Sequence, residues 1–276
     1  MRTFSQVDVF TDEFTKGNAL AVVHDAEGLT TEQMAAFANW TNLAETTFLL
    51  PAENPAADYR LRIFTVSREL PFAGHPTLGS AHAWLSAGNT PRDPDRLVQE
   101  CGAGLVEVRR DGPRLAFAAP PLLRGGPVED HAALAAALAI TPEEIAGARW
   151  ADNGPGWVAV LLHSAAAVLA LQPDYQRFGE FTGIGVVGPH PDGGEAAFEV
   201  RAFINEGGRF EEDPVTGSLN ASIAQWLIPA GIAQQRYVAA QGTALGRRGR
   251  VHLSQDGEQI WVGGNSVTGI TGRVIL

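Results

Sequence analysis

The chain contains the stretch HPTLGSAHA at 75–83 and, in its second half, the related stretch DPVTGSLNA at 213–221. Aligned without a gap, both fit the pattern (His/Asp)-Pro-x-x-Gly-Ser-x-x-Ala. The two copies start 138 residues apart, which is half of the 276-residue chain. An Arg-x-Phe triplet upstream of each copy repeats at nearly the same offset. A repeat at half-length indicates two similar domains, and the different first residues, His75 and Asp213, predict different chemistry on a shared scaffold.

Each copy of the repeat lies at the start of a segment in which no further charged side chain occurs. Residues 76–87 and 214–230 contain no Asp, Glu, Lys or Arg, and a helix without a charged face is expected to be buried on all sides. Strand patterns outnumber amphipathic helices around them, which does not favour a doubly wound parallel sheet. The predicted fold is α+β, with two homologous domains, each a curved, mostly antiparallel sheet wrapped around a central buried helix.

Strong turn signals at Pro120-Pro121 and at 125–127 mark the best linker candidate. The predicted domains are residues 1–124 and 125–276, and the last strand is allowed to return to the first domain.

Local sequence patterns predict individual helices and strands. A capping box at Thr30 and Gln33 predicts a helix that ends near Trp40. In the second half the pattern predicts a helix near 142–147 and a strand near 168–171.

Composition excludes several classes of function. The net charge is −11 and the isoelectric point about 5.1, without a basic stripe, so nucleic acid is not an expected partner. No apolar run approaches the ~18 residues of a membrane span, and the N-terminus does not resemble a signal peptide. Cys101 is the single cysteine, which excludes an internal disulfide and a two-thiol mechanism. We therefore expect a cytoplasmic protein that binds neither membrane nor nucleic acid.

The residues that open the two repeats are candidates for a shared site. Proline is favoured at the first position of a helix, so His75 and Asp213 are predicted to be N-caps. The unpaired amides behind an N-cap bind carboxylates or phosphates, and two such ends facing one cleft would form an anion pocket. The alternative is purely structural, because Asp is a common capping residue and most single histidines are structural or solvated.

The sequence contains no metal-ligand spacing, no GxGxxG before a helix and no Gly-x-Ser-x-Gly motif. We therefore predict neither a metal nor a cofactor. Glu45 lies between a predicted helix end and an apolar strand, a position that by itself favours an ordinary exposed surface glutamate.

Over essentially its whole length the sequence resembles the phenazine-biosynthesis PhzF-like isomerase family. The matching segments are VDVFT at 7–11, GNALAVV at 17–23, NLAETTF at 42–48, RIFT at 62–65, ELPFAGHPTLG at 69–79 and EDPVTGS at 212–218. The resemblance implies the diaminopimelate-epimerase-like fold, with the site between two homologous domains. It also implies a homodimer that works without a cofactor.

The resemblance further implies roles for individual residues. Glu45 would be the general acid/base, and His75 and Asp213 would be supporting proton-handling groups. The implied substrate-binding residues are Asn18, Gly74, Gly217 and Ser218. Gly74 and Asp213 fall about where the epimerases of this fold carry their two cysteines.

The predicted function is therefore cofactor-independent proton transfer on a small carboxylate-bearing metabolite, with Glu45 as general acid/base in an interdomain cleft. Two alternatives stay open: a two-base racemase or epimerase that uses Glu45 and Asp213, and a protein that binds an anionic metabolite without catalysis. The family is broad, so the resemblance does not name the substrate or the pathway.

Overall fold

A computed structural model describes residues 1–206 and 208–276. The chain divides into two compact units. Unit 1 comprises Met1–Ala118 and Gly263–Leu276, and unit 2 comprises Ala119–Val262. The division comes earlier than the sequence-based boundary after residue 124, because a strand of unit 1 ends at Ala118 and the Ala119 amide already donates a hydrogen bond to the Ile260 carbonyl of unit 2.

The helices and strands follow in chain order. The first half contains β1 (Arg2–Val9), β2 (Asn18–Val23), α1 (Thr31–Thr41), β3 (Glu45–Leu50), β4 (Tyr59–Phe64), β5 (Glu69–Leu70), α2 (Gly74–Ser86), β6 (Arg96–Cys101), β7 (Gly104–Asp111) and β8 (Arg114–Ala118). The second half contains β9 (Arg124–Pro127), α3 (His131–Leu138), β10 (Ile145–Asp152), β11 (Trp157–Leu162), α4 (Ala165–Ala170), β12 (Gly183–Pro189), β13 (Phe198–Glu206), β14 (Arg209–Asp213), α5 (Gly217–Leu227), β15 (Arg236–Gln241), β16 (Gly249–Asp256), β17 (Gln259–Gly264) and β18 (Ser266–Val274). None of the helices in the described part of the chain is long and apolar enough to cross a membrane.

The two units repeat the same order of elements. From β1 to β8 and again from β10 to β17, the order is two strands, a helix, three strands, a helix and three strands. The parallel pairs also correspond, because β2 pairs with β3 as β11 pairs with β12, and β4 pairs with β6 as β13 pairs with β15. The other pairings described within each unit are antiparallel. The predicted α+β fold with two related domains is confirmed.

Each unit has one further strand outside the repeated order. In unit 1, β18 lies antiparallel to β1, and in unit 2, β9 lies antiparallel to β10. The C-terminal strand therefore belongs to the first unit, although it follows the second unit in sequence.

The second helix of each repeat is enclosed by its own sheet. The α2 helix contacts β1, β2, β3 and β8 of unit 1, and α5 contacts β10, β11 and β16 of unit 2. No residue of α5 is exposed, and in α2 only Ser86 is. The small residues of the repeat permit this close packing, since a Cβ added at Gly79 would lie 2.6 Å from Leu20 and 2.8 Å from Val9. The expectation of buried, charge-free helices is confirmed.

Two local predictions were wrong. The segment near 142–147 begins as a short 3₁₀ turn, Pro142–Glu144, and continues as β10. Its capping box is present, but the residues from Ile145 onward pair with β11 and cannot extend a helix. The segment near 168–171 is mostly helical, because the Ser164 side chain accepts a hydrogen bond from the Ala167 amide and starts α4. The capping box of α1 is confirmed.

Candidate active site

Neither His75 nor Asp213 is an N-cap, so this prediction was wrong for both. The α2 helix begins at Gly74 with Ala73 as its N-cap, which places His75 at the second helical position. Proline at the next position is tolerated because the first-turn amides have no acceptor within the helix. The α5 helix begins at Gly217 after the N-cap Thr216.

Asp213 comes before α5 because it still belongs to a strand. It is the last residue of β14 and pairs with Ala202 of β13. A short turn therefore separates Asp213 from the N-terminus of α5, and its side chain does not act as the helix cap.

Unit 1 brings Glu45, His75 and Asn18 together. Glu45 is the first residue of β3 and Asn18 the first of β2. Nε2 of His75 lies 3.3 Å from Oε2 of Glu45, and its Nδ1 lies 3.5 Å from the Asn18 amide nitrogen. The side chains of Glu45 and His75 are 16% and 6% exposed, respectively. Glu45 and His75, which were predicted to handle protons, and Asn18, which was predicted to bind substrate, therefore lie in one cluster.

The protonation state of His75 follows from its surroundings. Burial lowers the pKa of the imidazole from 6.5 to about 3, so the ring is neutral at physiological pH. The Asn18 amide nitrogen can only donate, which makes Nδ1 of His75 the acceptor and leaves the single ring proton on Nε2. Nε2 of His75 and Oε2 of Glu45 are close, but no hydrogen bond joins these two atoms in this geometry, so the neutral imidazole and the carboxylate are buried neighbours.

Asp8 helps to position Asn18 of this cluster, and the sequence analysis did not single it out. It is buried in β1, and its Oδ2 accepts a hydrogen bond from the Gly17 amide at 3.1 Å. A side chain at Gly17 would collide with the Val9 carbonyl and lie 2.7 Å from Thr11. The chain therefore approaches β1 closely at this point and fixes the neighbouring Asn18. The available signal was the position of Asp8 inside the segment VDVFT.

Unit 2 builds a polar network around Asp213. Its Oδ2 accepts a hydrogen bond of 2.6 Å from the Thr216 hydroxyl. Gln241, which ends β15 and is fully buried, donates to the Asp213 carbonyl at 3.1 Å and to the Thr216 hydroxyl at 2.9 Å. Its carbonyl oxygen accepts from the Thr216 amide at 3.0 Å and from Asn220 at 2.8 Å. One glutamine thus fixes the whole turn that presents Asp213.

The first turn of α5 also contains the predicted binding residues Gly217 and Ser218. Gly217 is the first helical residue, so its amide belongs to the group without an acceptor inside the helix. The Ser218 hydroxyl accepts a hydrogen bond from the Trp157 indole at 3.0 Å, which leaves its own hydrogen available to donate. Gly74 has the position in α2 that Gly217 has in α5.

Each unit has a buried glutamine that donates to a threonine of its repeat, but the two units differ at the position of Glu45. Gln99 of β6 donates to the Thr77 hydroxyl at 3.1 Å, as Gln241 donates to that of Thr216. The residue that begins β12, in the place of Glu45 in β3, is Gly183. The general-base candidate is therefore present in one copy of the repeat only.

Comparison with known proteins places the chain in a family. The profile described as "Phenazine biosynthesis-like protein" matches residues 7–272. The chain belongs to this family.

Individual members of the family are similar over their whole length. Antisense-enhancing sequence 1 of Schizosaccharomyces pombe is 33% identical over 305 residues, covering 99% of each chain. The trans-2,3-dihydro-3-hydroxyanthranilate isomerase of Pseudomonas aeruginosa is 34% identical over 302 residues, covering 100% of each. A PhzF-family crystal structure from Bacillus anthracis superposes with a TM-score of 0.85 at 22% identity, covering 100% of this chain and 99% of that one. The predicted family, its fold and its membership among isomerases are confirmed.

Proposed function

We propose that this isomerase moves a proton on a small carboxylate-bearing metabolite without a cofactor, with Glu45 as the general acid/base. The observation that supports the proposal best is the arrangement in unit 1, where Nε2 of a buried, neutral His75 lies 3.3 Å from Oε2 of Glu45. A general base must first lie within hydrogen-bond reach of the proton that it abstracts, and its pKa is the second requirement.

In the proposed reaction Glu45 takes a proton from a carbon next to an electron-withdrawing group. The electron pair of the broken C–H bond moves into the adjacent π-system, and the new double bond shifts the negative charge toward the substrate's carbonyl or carboxyl oxygen. Protonated Glu45 exchanges its proton with solvent water and then donates a proton to a different carbon. The step is redox-neutral and needs no co-reactant.

The proposed binding groups for the substrate carboxylate are first-turn amides and one hydroxyl. These are the amides of Gly74 and Gly217 and the Ser218 hydroxyl. Backbone N–H groups at a helix start stabilise negative charge without a lysine or arginine. The named activity of the Pseudomonas aeruginosa relative supports trans-2,3-dihydro-3-hydroxyanthranilate as the first substrate to test.

That Glu45 of unit 1 and Asp213 of unit 2 act on one substrate stays a prediction. So do the homodimer, the absence of a cofactor and the cytoplasmic location. In this proposal Asp213 has a supporting role in proton transfer and is not the general base. The reason is that its Oδ2 already accepts a hydrogen bond of 2.6 Å from the Thr216 hydroxyl.

Product analysis in deuterated water tests the proposal against the racemase alternative. We expect a product with a shifted double bond and deuterium at the newly protonated carbon. Inversion of one stereocentre, with deuterium on that same carbon, would contradict the proposal in favour of a two-base mechanism. Binding without any solvent exchange would favour the non-catalytic alternative.

A further inference from the structure

Trp157 has the position in unit 2 that Asn18 has in unit 1. Trp157 is the first residue of β11 and Asn18 the first of β2, and these two strands correspond in the repeated order of elements. Both strands also belong to the corresponding parallel pairs of the two units. The family resemblance implies substrate binding for Asn18, whereas it assigns no role to Trp157.

The turn before each of these residues is built in the same way. A glycine comes directly before the first residue of each strand. The Gly17 amide donates to Oδ2 of Asp8 at 3.1 Å, and the Gly156 amide donates to Oδ1 of Asp152 at 2.7 Å. Since Asp8 lies in β1 and Asp152 in β10, the preceding strand fixes the start of the next one in both units.

Both residues direct an N–H group at the central helix of their own unit. Nδ2 of Asn18 lies 3.5 Å from Nδ1 of His75, and the Trp157 indole donates to the Ser218 hydroxyl at 3.0 Å. His75 is the second residue of α2, and Ser218 is the second residue of α5. Ser218 is therefore the structural counterpart of His75, although the sequence repeat aligns His75 with Asp213.

The contacts of Ser218 leave one hydrogen for a ligand. Its hydroxyl oxygen accepts from the indole, and its single hydroxyl hydrogen has no acceptor in the described part of the chain. The Ser218 carbonyl accepts from Asn153 at 2.9 Å and from Ser222 at 3.2 Å, so the backbone is held as well. Ser218 is half-buried, so a ligand can reach this residue.

The indole is enclosed and has no room to turn. Trp157 is 2% exposed, and it pairs with Gly183 of β12. A Cβ added at Gly183 would lie 2.7 Å from the Trp157 ring, so the ring rests directly on the glycine backbone. The direction of the indole N–H group toward Ser218 is therefore fixed by packing.

We propose that Trp157 is a positioning residue that orients the Ser218 hydroxyl as a hydrogen-bond donor to the substrate carboxylate. This inference rests on the proposed function, because it needs a carboxylate at the first turn of α5. An oxygen that accepts from the indole presents its own hydrogen elsewhere, and an ionised carboxylate offers only acceptors. A hydrogen bond to such a charged acceptor is stronger than a neutral one. Trp157 thus acts on the substrate through Ser218.

Trp157→Phe removes the indole N–H group and keeps a buried aromatic ring. The dissociation constant of trans-2,3-dihydro-3-hydroxyanthranilate is measured by calorimetry in a Glu45→Gln background, so that binding is observed without turnover. We expect Trp157→Phe to weaken binding by about threefold to tenfold, which is the effect of one hydrogen bond. Trp150→Phe makes the same change in the adjacent strand β10, where the indole donates to no described residue, and should leave binding unchanged.

A double-mutant cycle separates positioning from general support of the fold. In a Ser218→Ala background Trp157→Phe should have no further effect on binding, because the group on which it acts is absent. An undiminished effect in that background would overturn the proposal. Binding as tight as without the substitution, in Trp157→Phe or in Ser218→Ala, would also overturn it. The Ser218→Ala result decides the matter if Trp157→Phe does not fold.

Turnover is measured separately, with Glu45 intact. We expect Trp157→Phe to raise KM with little change in kcat, because the carboxylate contact is made before and during the reaction. A decrease in kcat with KM unchanged would overturn the positioning role. Binding to the Glu45→Gln protein without turnover by the wild type would contradict the proposed reaction alone, since the cycle still tests Trp157. Absence of binding would contradict both proposals.

Discussion

Nε2 of His75 lies 3.3 Å from Oε2 of Glu45, and both atoms are buried. The histidine comes from the first turn of α2 and the glutamate from the first residue of β3, so two elements of unit 1 bring these side chains together. Since burial keeps the imidazole neutral, His75 lies beside Glu45 as a neutral group and not as a second charge.

This relationship predicts a pH dependence of stability. The pKa of His75 is about 3 in the folded protein and about 6.5 when unfolded, so the unfolded state binds more protons between these values. The contribution of His75 to the free energy of unfolding should therefore be fully present above pH 6.5. It should decrease as the pH drops toward 3, by at most about 1.4 kcal/mol per pH unit. Denaturant unfolding at pH 7, 6, 5 and 4 should show a shallower dependence in His75→Gln than in the wild type. Parallel curves would contradict the neutral buried imidazole.

Gln241 should be needed for both stability and turnover. Gln241→Leu keeps the volume but removes the partners of Thr216, Asn220 and the Asp213 carbonyl. Each buried polar group left unsatisfied costs about 1–3 kcal/mol, so we expect a loss of at least about 3 kcal/mol in denaturant unfolding. Gln176→Leu, at an exposed position, is the control and should change little. A Gln241→Leu protein as stable and active as the control would show that the turn does not depend on this residue.

The repeated ion pairs provide a matched comparison of burial. Arg201 forms a two-pronged pair with Glu212 as Arg62 does with Glu69, but the first pair is 7% and 10% exposed and the second 23% and 38%. Glu212→Gln should cost about 3–5 kcal/mol because it leaves a buried guanidinium without its counter-charge. Glu69→Gln should cost less than about 1 kcal/mol. Equal losses in thermal or denaturant unfolding would contradict this account.

The small residues of the repeat should be required for helix packing. Gly79→Ala places a methyl group 2.6 Å from Leu20 and 2.8 Å from Val9, and we expect a loss of about 1–3 kcal/mol from overpacking. Gly272→Ala meets nothing within 4 Å and serves as the control. If the two variants unfold at the same denaturant concentration, α2 is packed less tightly than described.

The sequence predicted the fold well because its decisive signals are local and repeated. The motif at 75–83 and 213–221 and the absence of charge around it indicated two buried helices, and both are present. The exact helix starts were not predictable, since proline is compatible with any first-turn position and a strand pairing decides where Asp213 lies.

The supporting groups of the site were missed for a different reason. Gln241 lies 28 residues from Asp213 in sequence and carries no motif, and only β15 brings them together. A single sequence does not show such pairings, whereas Thr216 and Asn220 were visible inside the repeat.

The most direct test of the account compares Glu45→Gln with the wild type in deuterated water. The measured quantity is the rate at which solvent deuterium appears in the product, with trans-2,3-dihydro-3-hydroxyanthranilate as the first substrate. The amide is nearly isosteric, but it cannot accept the proton. We expect normal unfolding and substrate binding with a loss of turnover of roughly 10²–10⁴-fold. Asp213→Asn, measured in parallel, separates a one-base from a two-base mechanism. A loss in Glu45→Gln smaller than about tenfold would contradict its role as the general acid/base.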